Sequence, residues 1–230
     1  MFVPLPTRAR PTLRWATPLL LVTCSALFVW ASSRPGAAQA ALLLDWGALS
    51  GGLQTVEAWR GAIHDGSLLR LFTAVFLHAD WAHLLGNLVF LLIFGLPAER
   101  AMGPWLFLLL FLAGGAIANL AAVLAAGTPD SLIVGASGAV SAVIGAYLAL
   151  FPHARLGVVL PLGLFLEFVR APASLLIGIW VLLQVGFAYI GPAFGEVAWN
   201  AHVAGFACGA LFALVMRGAI ARRMRRRSGY

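Results

Sequence analysis

From Pro104 to Ala126 the chain reads "PWLFLLLFLAGGAIANLAAVLAA" without one charged residue. A helix needs roughly 20 such residues to cross an apolar layer about 30 Å thick. Further runs of this kind predict six spans, at approximately 15–33, 81–98, 104–126, 134–151, 172–190 and 197–216. Hydrophobic residues make up 62% of the 230 positions and charged ones only 10%, with a mean hydropathy of +0.95. A soluble domain with so few charges could not cover its surface. The expected fold class is therefore all-α: a polytopic bundle of six transmembrane helices. No repeat, low-complexity tract or linker divides the sequence, so residues 1–230 are expected to form one membrane domain.

The net charge is +7, and every basic residue is arginine. Their placement argues for topology rather than nucleic acid. Arg8, Arg10 and Arg14 precede the first predicted span, and Arg222, Arg223, Arg225, Arg226 and Arg227 follow the last. Putting both termini inside also gathers Arg100, Arg155, Arg170 and Arg217 there, leaving Arg34, Arg60 and Arg70 outside. Basic residues accumulate on the cytoplasmic side, where they meet anionic headgroups. Both termini are thus expected in the cytoplasm. The arginine-only, Ala- and Gly-rich usage points to a bacterial cell membrane. The N-terminal arginines and the "GAAQA" segment imitate a signal peptide, but Trp15 to Ser32 exceeds the usual 7–15 residue apolar region. A retained first span is expected. Cys24 and Cys208 lie in apolar runs and read as small hydrophobes.

The first outer loop, about 34–80, contains "LLLDWGALSGG" and "SLLRLFTAVFLH", apolar pieces too short to span. Short interfacial helices or re-entrant segments are expected there. A similar interfacial element is expected on the inner side from "RLGVVLPLGLFLEFVRAP", Arg155 to Pro172.

Polar groups enter the oil at few places, and these carry the chemistry. In "FLHADWAHLLGNLVF" His83 and Asn87 are four residues apart, on one helix face, with His78 just upstream. Polar side chains inside a membrane normally face the bundle interior or a water cavity. In "LIVGASGAV" Ser137 stands among Gly135, Ala136 and Gly138. Pro129, Asp130 and Gly135 predict a helix beginning near Ala136, with Ser137 in its first turn, where free N–H groups gather. In "VAWNAHVAGFACGALFALV" His202 shares a stripe with Gly205 and Gly209, and the fourth span offers Gly138, Ser141, Ala142 and Gly145. Small stripes let two backbones approach. Packing them together would bring Ser137 and His202 within reach. Each group also has a plain structural reading: His83 and Asn87 as interhelical glue, Ser137 as a helix-bonded hydroxyl.

Asp80 and Asp130 are expected at the outer edge and Glu99 and Glu167 at the inner, so a Ser-His dyad fits better than a triad. The sequence has no H-E-x-x-H, and His78, His83 and His202 have no supporting thiolate or carboxylate. Neither metal nor cofactor is expected.

The combination resembles the rhomboid family of intramembrane serine proteases. "GASGAV" on the fourth span, "AHVAGFACG" on the sixth and "HADWAHLLGN" opening the second carry the resemblance, supported by "GLPAERAMG" after the second span. The resemblance implies that Ser137 is the nucleophile and His202 the general base. His83, Asn87 and the backbone N–H of Ser137 would form the oxyanion hole. Gly135, Gly138, Gly205 and Gly209 would be packing residues, and the first outer loop would be the interfacial loop, supported by Arg70 and His78. "GFAYIGPAFGEVAW" would be a mobile cap. Implied partners are transmembrane protein substrates and the lipid bilayer, with a site opening to the outer side. Two positions depart from the family pattern. Leu69-Arg70 stands where many members have Trp-Arg. Ser141 replaces a tyrosine that in some members stacks on the catalytic histidine, so His202 needs another orienting contact. A non-catalytic relative that binds membrane helices, and a channel using the histidines as a proton path, are the alternatives from other classes.

Overall fold

The computed structural model describes residues 14–50, 53–125, 131–162, 165–190 and 198–228. Helices dominate these residues. They run α1 Ala16–Ser32, α2 Gly36–Trp46, α3 Val56–His64, α4 Arg70–Thr73, α5 Trp81–Phe90, α6 Leu96–Met102, α7 Pro104–Ala125, α8 Ser137–Leu150, α9 Ala173–Ile190, α10 Trp199–Val215 and α11 Arg217–Ser228. A π-turn, Leu91–Gly95, joins α5 to α6 into one helical body.

Helices occupy all six predicted positions, but they differ in reach. Trp81–Met102 and Pro104–Ala125 are long and apolar enough to cross a membrane, and α10 qualifies when joined to α11 across a 58° bend. By contrast α8 has 14 residues, about 21 Å at 1.5 Å per residue. It begins at Ser137, directly after the buried Gly135 and Ala136.

Local sequence explains the helix ends. Asp80 caps α5 by accepting from the His83 N–H at 2.8 Å, and Thr55 caps α3 through the Ala58 N–H at 3.1 Å; both occupy free first-turn donors. Gly103, at φ 87°, breaks α6 from α7, and Pro104 then opens α7. The first turn of α1 has no side-chain cap of its own. Glu99 supplies one from α6. Its Oε1 accepts from the N–H groups of Trp15 (2.9 Å) and Ala16 (3.0 Å), and its Oε2 from Thr17 (2.8 Å). Sequence placed Glu99 at the inner edge; it is fully buried.

Helix α8 is the centre of the bundle, with Gly138 to Tyr147 all buried. On one side α7 packs against it through Gly114 and Gly115, where a Cβ would come 2.6 Å from Ala142 and 2.9 Å from Ala139. On the other side lies α10. There a Cβ on Gly145 would fall on the Phe206 carbonyl, one on Gly205 on the Gly138 carbonyl, and one on Gly209 on the Ala142 carbonyl. The backbones of α8 and α10 touch directly.

The first loop forms short helices α2, α3 and α4, as its broken apolar pieces predict. It also forms a two-residue strand, β1 Ala48–Leu49, antiparallel to β2 Leu132–Ile133, which immediately precedes α8. The segment from Arg155 to Pro172 differs from expectation. Instead of an interfacial helix or re-entrant piece, β3 Arg155–Leu162 pairs antiparallel with β4 Phe165–Pro172, from Arg155↔Pro172 to Leu162↔Phe165. Val158, Val159, Phe168 and Val169 favour pleated backbone, and Pro161 is tolerated because each strand of a lone hairpin is an edge.

Candidate active site

Ser137 is the first residue of α8. The chain reaches it through β2 and through Gly135, whose φ of 119° suits glycine alone. The Gly135 N–H donates to the Ala74 carbonyl at 2.9 Å, tying the helix entry to the first loop. Gly135 is needed for a second reason: a Cβ there would overlap Nε2 of His83. The Nε2–Cε1 edge of the His83 imidazole thus lies against the segment that leads into Ser137. Half-buried Ser137 stands at the head of a helix whose first N–H groups lack intrahelical acceptors.

Asn87 sits one turn below His83 and is buried. Its Nδ2 donates to the His83 carbonyl at 3.0 Å, which uses one of its two amide hydrogens. His78 is buried with its ring edge-on to His83, centroids 5.2 Å apart. Burial, followed by the neighbouring His83, pushes the His78 imidazole down to about 4. Arg70 donates from Nη1 to the Leu44 carbonyl at 3.4 Å, linking α4 to α2, whereas Leu69 is exposed.

His202 enters from α10, where Gly205, one turn on, lies against Gly138. Ala201, the preceding residue, has its Cβ 3.8 Å from where a Cβ of residue 138 would be. The histidine ring is enclosed by Trp199, edge-on at 5.8 Å, and by Trp180 of α9 at 6.4 Å and 29°. Its Nδ1 lies 2.6 Å from Oε1 of Gln184, also on α9. Ser141 does not orient it: its hydroxyl donates to the Ser137 carbonyl at 2.7 Å.

Two polar residues escaped the sequence reading. Gln184 interrupts "SLLIGIWVLLQVGF", and buried Asn119 of α7 donates to the Leu71 carbonyl at 2.8 Å, anchoring α4. The rule that singled out Asn87, a polar side chain within an apolar span, applies equally to both. Of the cap segment "GFAYIGPAFGEVAW", residues 191–197 lie outside the described residues, as do Arg8, Arg10 and Asp130. Among the described residues no group of three His, Cys, Asp or Glu side chains is arranged to hold a metal.

The family model described as the Rhomboid domain matches residues 65–219. The chain belongs to the rhomboid family. That match takes in α5 to α10 and with them every residue that carried the resemblance. This rhomboid is 35% identical over 94 residues to YdcA of Bacillus subtilis (strain 168), named as a candidate rhomboid protease; the match covers 41% of the chain and 47% of YdcA. It is 31% identical over 162 residues to the mitochondrial RHOMBOID-like protein 12 of Arabidopsis thaliana, covering 64% of the chain and 46% of that protein. Rhomboid-related protein 1 of Caenorhabditis elegans is 29% identical over 167 residues, 66% of the chain and 40% of the relative. The chain thus spans less than half the length of each of these relatives. Family membership and its apolar helices make it a multi-pass membrane protein.

Proposed function

We propose that this rhomboid is an intramembrane serine endopeptidase working through a Ser137–His202 dyad. The observation that carries the reading is the backbone contact between α8 and α10. Gly138 and Gly205 meet there, with Ser137 one residue before the first and His202 three before the second.

The chemistry follows acyl transfer. The Ser137 hydroxyl attacks the scissile carbonyl while Nε2 of His202 takes its proton. The carbonyl oxygen becomes an oxyanion, stabilised by the Ser137 N–H, by His83 and by Asn87. These donors are neutral, so no counter-charge needs to be held in the apolar layer. The intermediate collapses, the C–N bond breaks, and His202 returns the proton to the departing amine. Water then attacks the acyl-enzyme with His202 again as base, releasing the carboxylic acid and restoring Ser137.

The substrates are transmembrane segments of other proteins. A substrate helix must unwind locally, since its carbonyls are otherwise hydrogen-bonded and shielded. Small side chains at the cut suit a serine flanked by glycines. The full reading has six spans in the bacterial cell membrane, termini in the cytoplasm and a site open to the outer side.

The test is labelling of purified protein by a fluorophosphonate probe alongside cleavage of a model transmembrane substrate. Ser137→Ala and His202→Ala should each abolish both while leaving folded protein; cleavage surviving in either variant rules out the dyad. Asn87→Ala should slow cleavage about 10²–10³-fold, the usual loss for one oxyanion donor. An unchanged rate would make Asn87 purely structural. A folded wild-type protein that neither labels nor cleaves would identify a helix-binding relative instead.

A further inference from the structure

The dyad reading leaves one requirement open. For Nε2 of His202 to accept the serine proton, the neutral ring must carry its own proton on Nδ1. In serine protease triads a carboxylate enforces this, and loss of that acceptor lowers kcat about 10⁴-fold because the wrong tautomer results.

We propose that Gln184 is the positioning residue that fixes the tautomer and orientation of His202; the proposal rests on the dyad reading above. Oε1 of Gln184 lies 2.6 Å from Nδ1 of His202. With the amide oxygen turned to the ring, Nδ1–H donates, and the lone pair is left on Nε2. With the amide reversed, Nδ1 would have to accept and the proton would sit on Nε2, unable to receive another.

Three further observations favour this role. Gln184 is 8% exposed although it lies on α9, whose Ile179, Leu182, Leu183 and Val185 are all about half exposed or more. It is therefore turned inward on a helix that is otherwise largely an outer face. Trp180, one turn earlier, lies beside the same ring, so α9 supplies both a wall and an acceptor. Ser141, at the position of the family's stacking tyrosine, spends its hydroxyl on the Ser137 carbonyl and offers His202 nothing.

The test uses the full-length protein in detergent with a cleavable transmembrane substrate and ¹⁵N-labelled histidine. Gln184→Met keeps the volume and removes the acceptor. It should lower kcat by roughly 10- to 10³-fold with KM within about twofold, and the ¹⁵N spectrum should show the His202 proton no longer confined to Nδ1. Gln184→Glu keeps the acceptor and adds charge. The new carboxylate favours imidazolium, so the acid limb of the kcat profile should move to higher pH, with activity recovered above it. Wild-type kcat and an intact Nδ1–H signal in the Met variant would overturn the assignment, as would an unmoved acid limb in the Glu variant. Where the Met variant fails to fold, the Glu profile decides alone. If folded wild type neither labels nor cleaves, the protease reading falls by itself. The spectra then judge Gln184: an Nδ1–H that is lost in the Met variant upholds the tether, and its absence in wild type overturns it.

Discussion

The bundle is fastened in two contrasting ways. Between α8 and α10 the contact is backbone against backbone, at Gly205 on Gly138 and Gly209 on Ala142. At the start of α1 it is a single buried carboxylate, Glu99, receiving three N–H groups. The first fastening is steric, one helix backbone seated on the other with no room for a Cβ. The second is electrostatic, combining charge-assisted hydrogen bonds with the positive end of a helix. It depends on what Glu99 is rather than on how small it is. Helix positions that must be held closely beside the candidate site use the absence of side chains. A helix that only needs anchoring uses a charge.

The contrast can be broken most severely at the steric contact. Gly209→Val pushes side-chain atoms into the Ala142 carbonyl and should destabilise the fold by about 3 kcal/mol or more, beyond ordinary overpacking because backbone must move. Thermal unfolding in detergent reads this, and an unchanged midpoint would mean that α8 and α10 separate freely. Next comes the carboxylate. Glu99→Ala frees three donors at once, and each hydrogen bond to a charged group contributes about 1.5–3 kcal/mol where water cannot replace it. Glu99→Gln, which keeps the size and one acceptor oxygen, should lose less. A Gln variant as stable as the wild type would make Glu99 a matter of packing and dissolve the distinction. The smallest effect sharpens the meaning of the glycines. Gly61 lies in exposed α3 with open space where a Cβ would be. Gly61→Ala should therefore raise stability by roughly 0.5–1 kcal/mol, the usual gain in a helix interior. A loss there would show that glycine in this chain is required outside close contacts too.

Much of this arrangement was legible in the sequence, for identifiable reasons. Charge-free runs located the six principal helices because the bilayer imposes composition as well as length. Gly135 and the small residues after it announced a helix starting beside Ser137, since backbone conformation and side-chain size are written locally. The glycine stripes likewise predicted where helices touch. What stayed hidden depends on partners distant in sequence. Gln184 meets His202 across 18 residues, and Glu99 meets Trp15 across 84. No helical period announces either pair. The hairpin of β3 and β4 was missed because short apolar runs look alike whether they become strand or interfacial helix.

The π-turn at Leu91–Gly95 sets the phase between the two ends of its span. In a regular helix Asn87 and Glu99, twelve positions apart, would point about 120° away from each other. The wider turn accommodates about one residue more than an α-turn and takes up roughly 100° of that angle. Asn87 and Glu99 consequently come onto nearly the same side, and both are buried. A single helix thus serves the candidate site at one end and anchors α1 at the other. Shortening the span by one residue in this stretch would return the helix to regular pitch and leave those side chains about 20° apart, so the wide turn is what lets the span carry its surplus residue without turning either of them away.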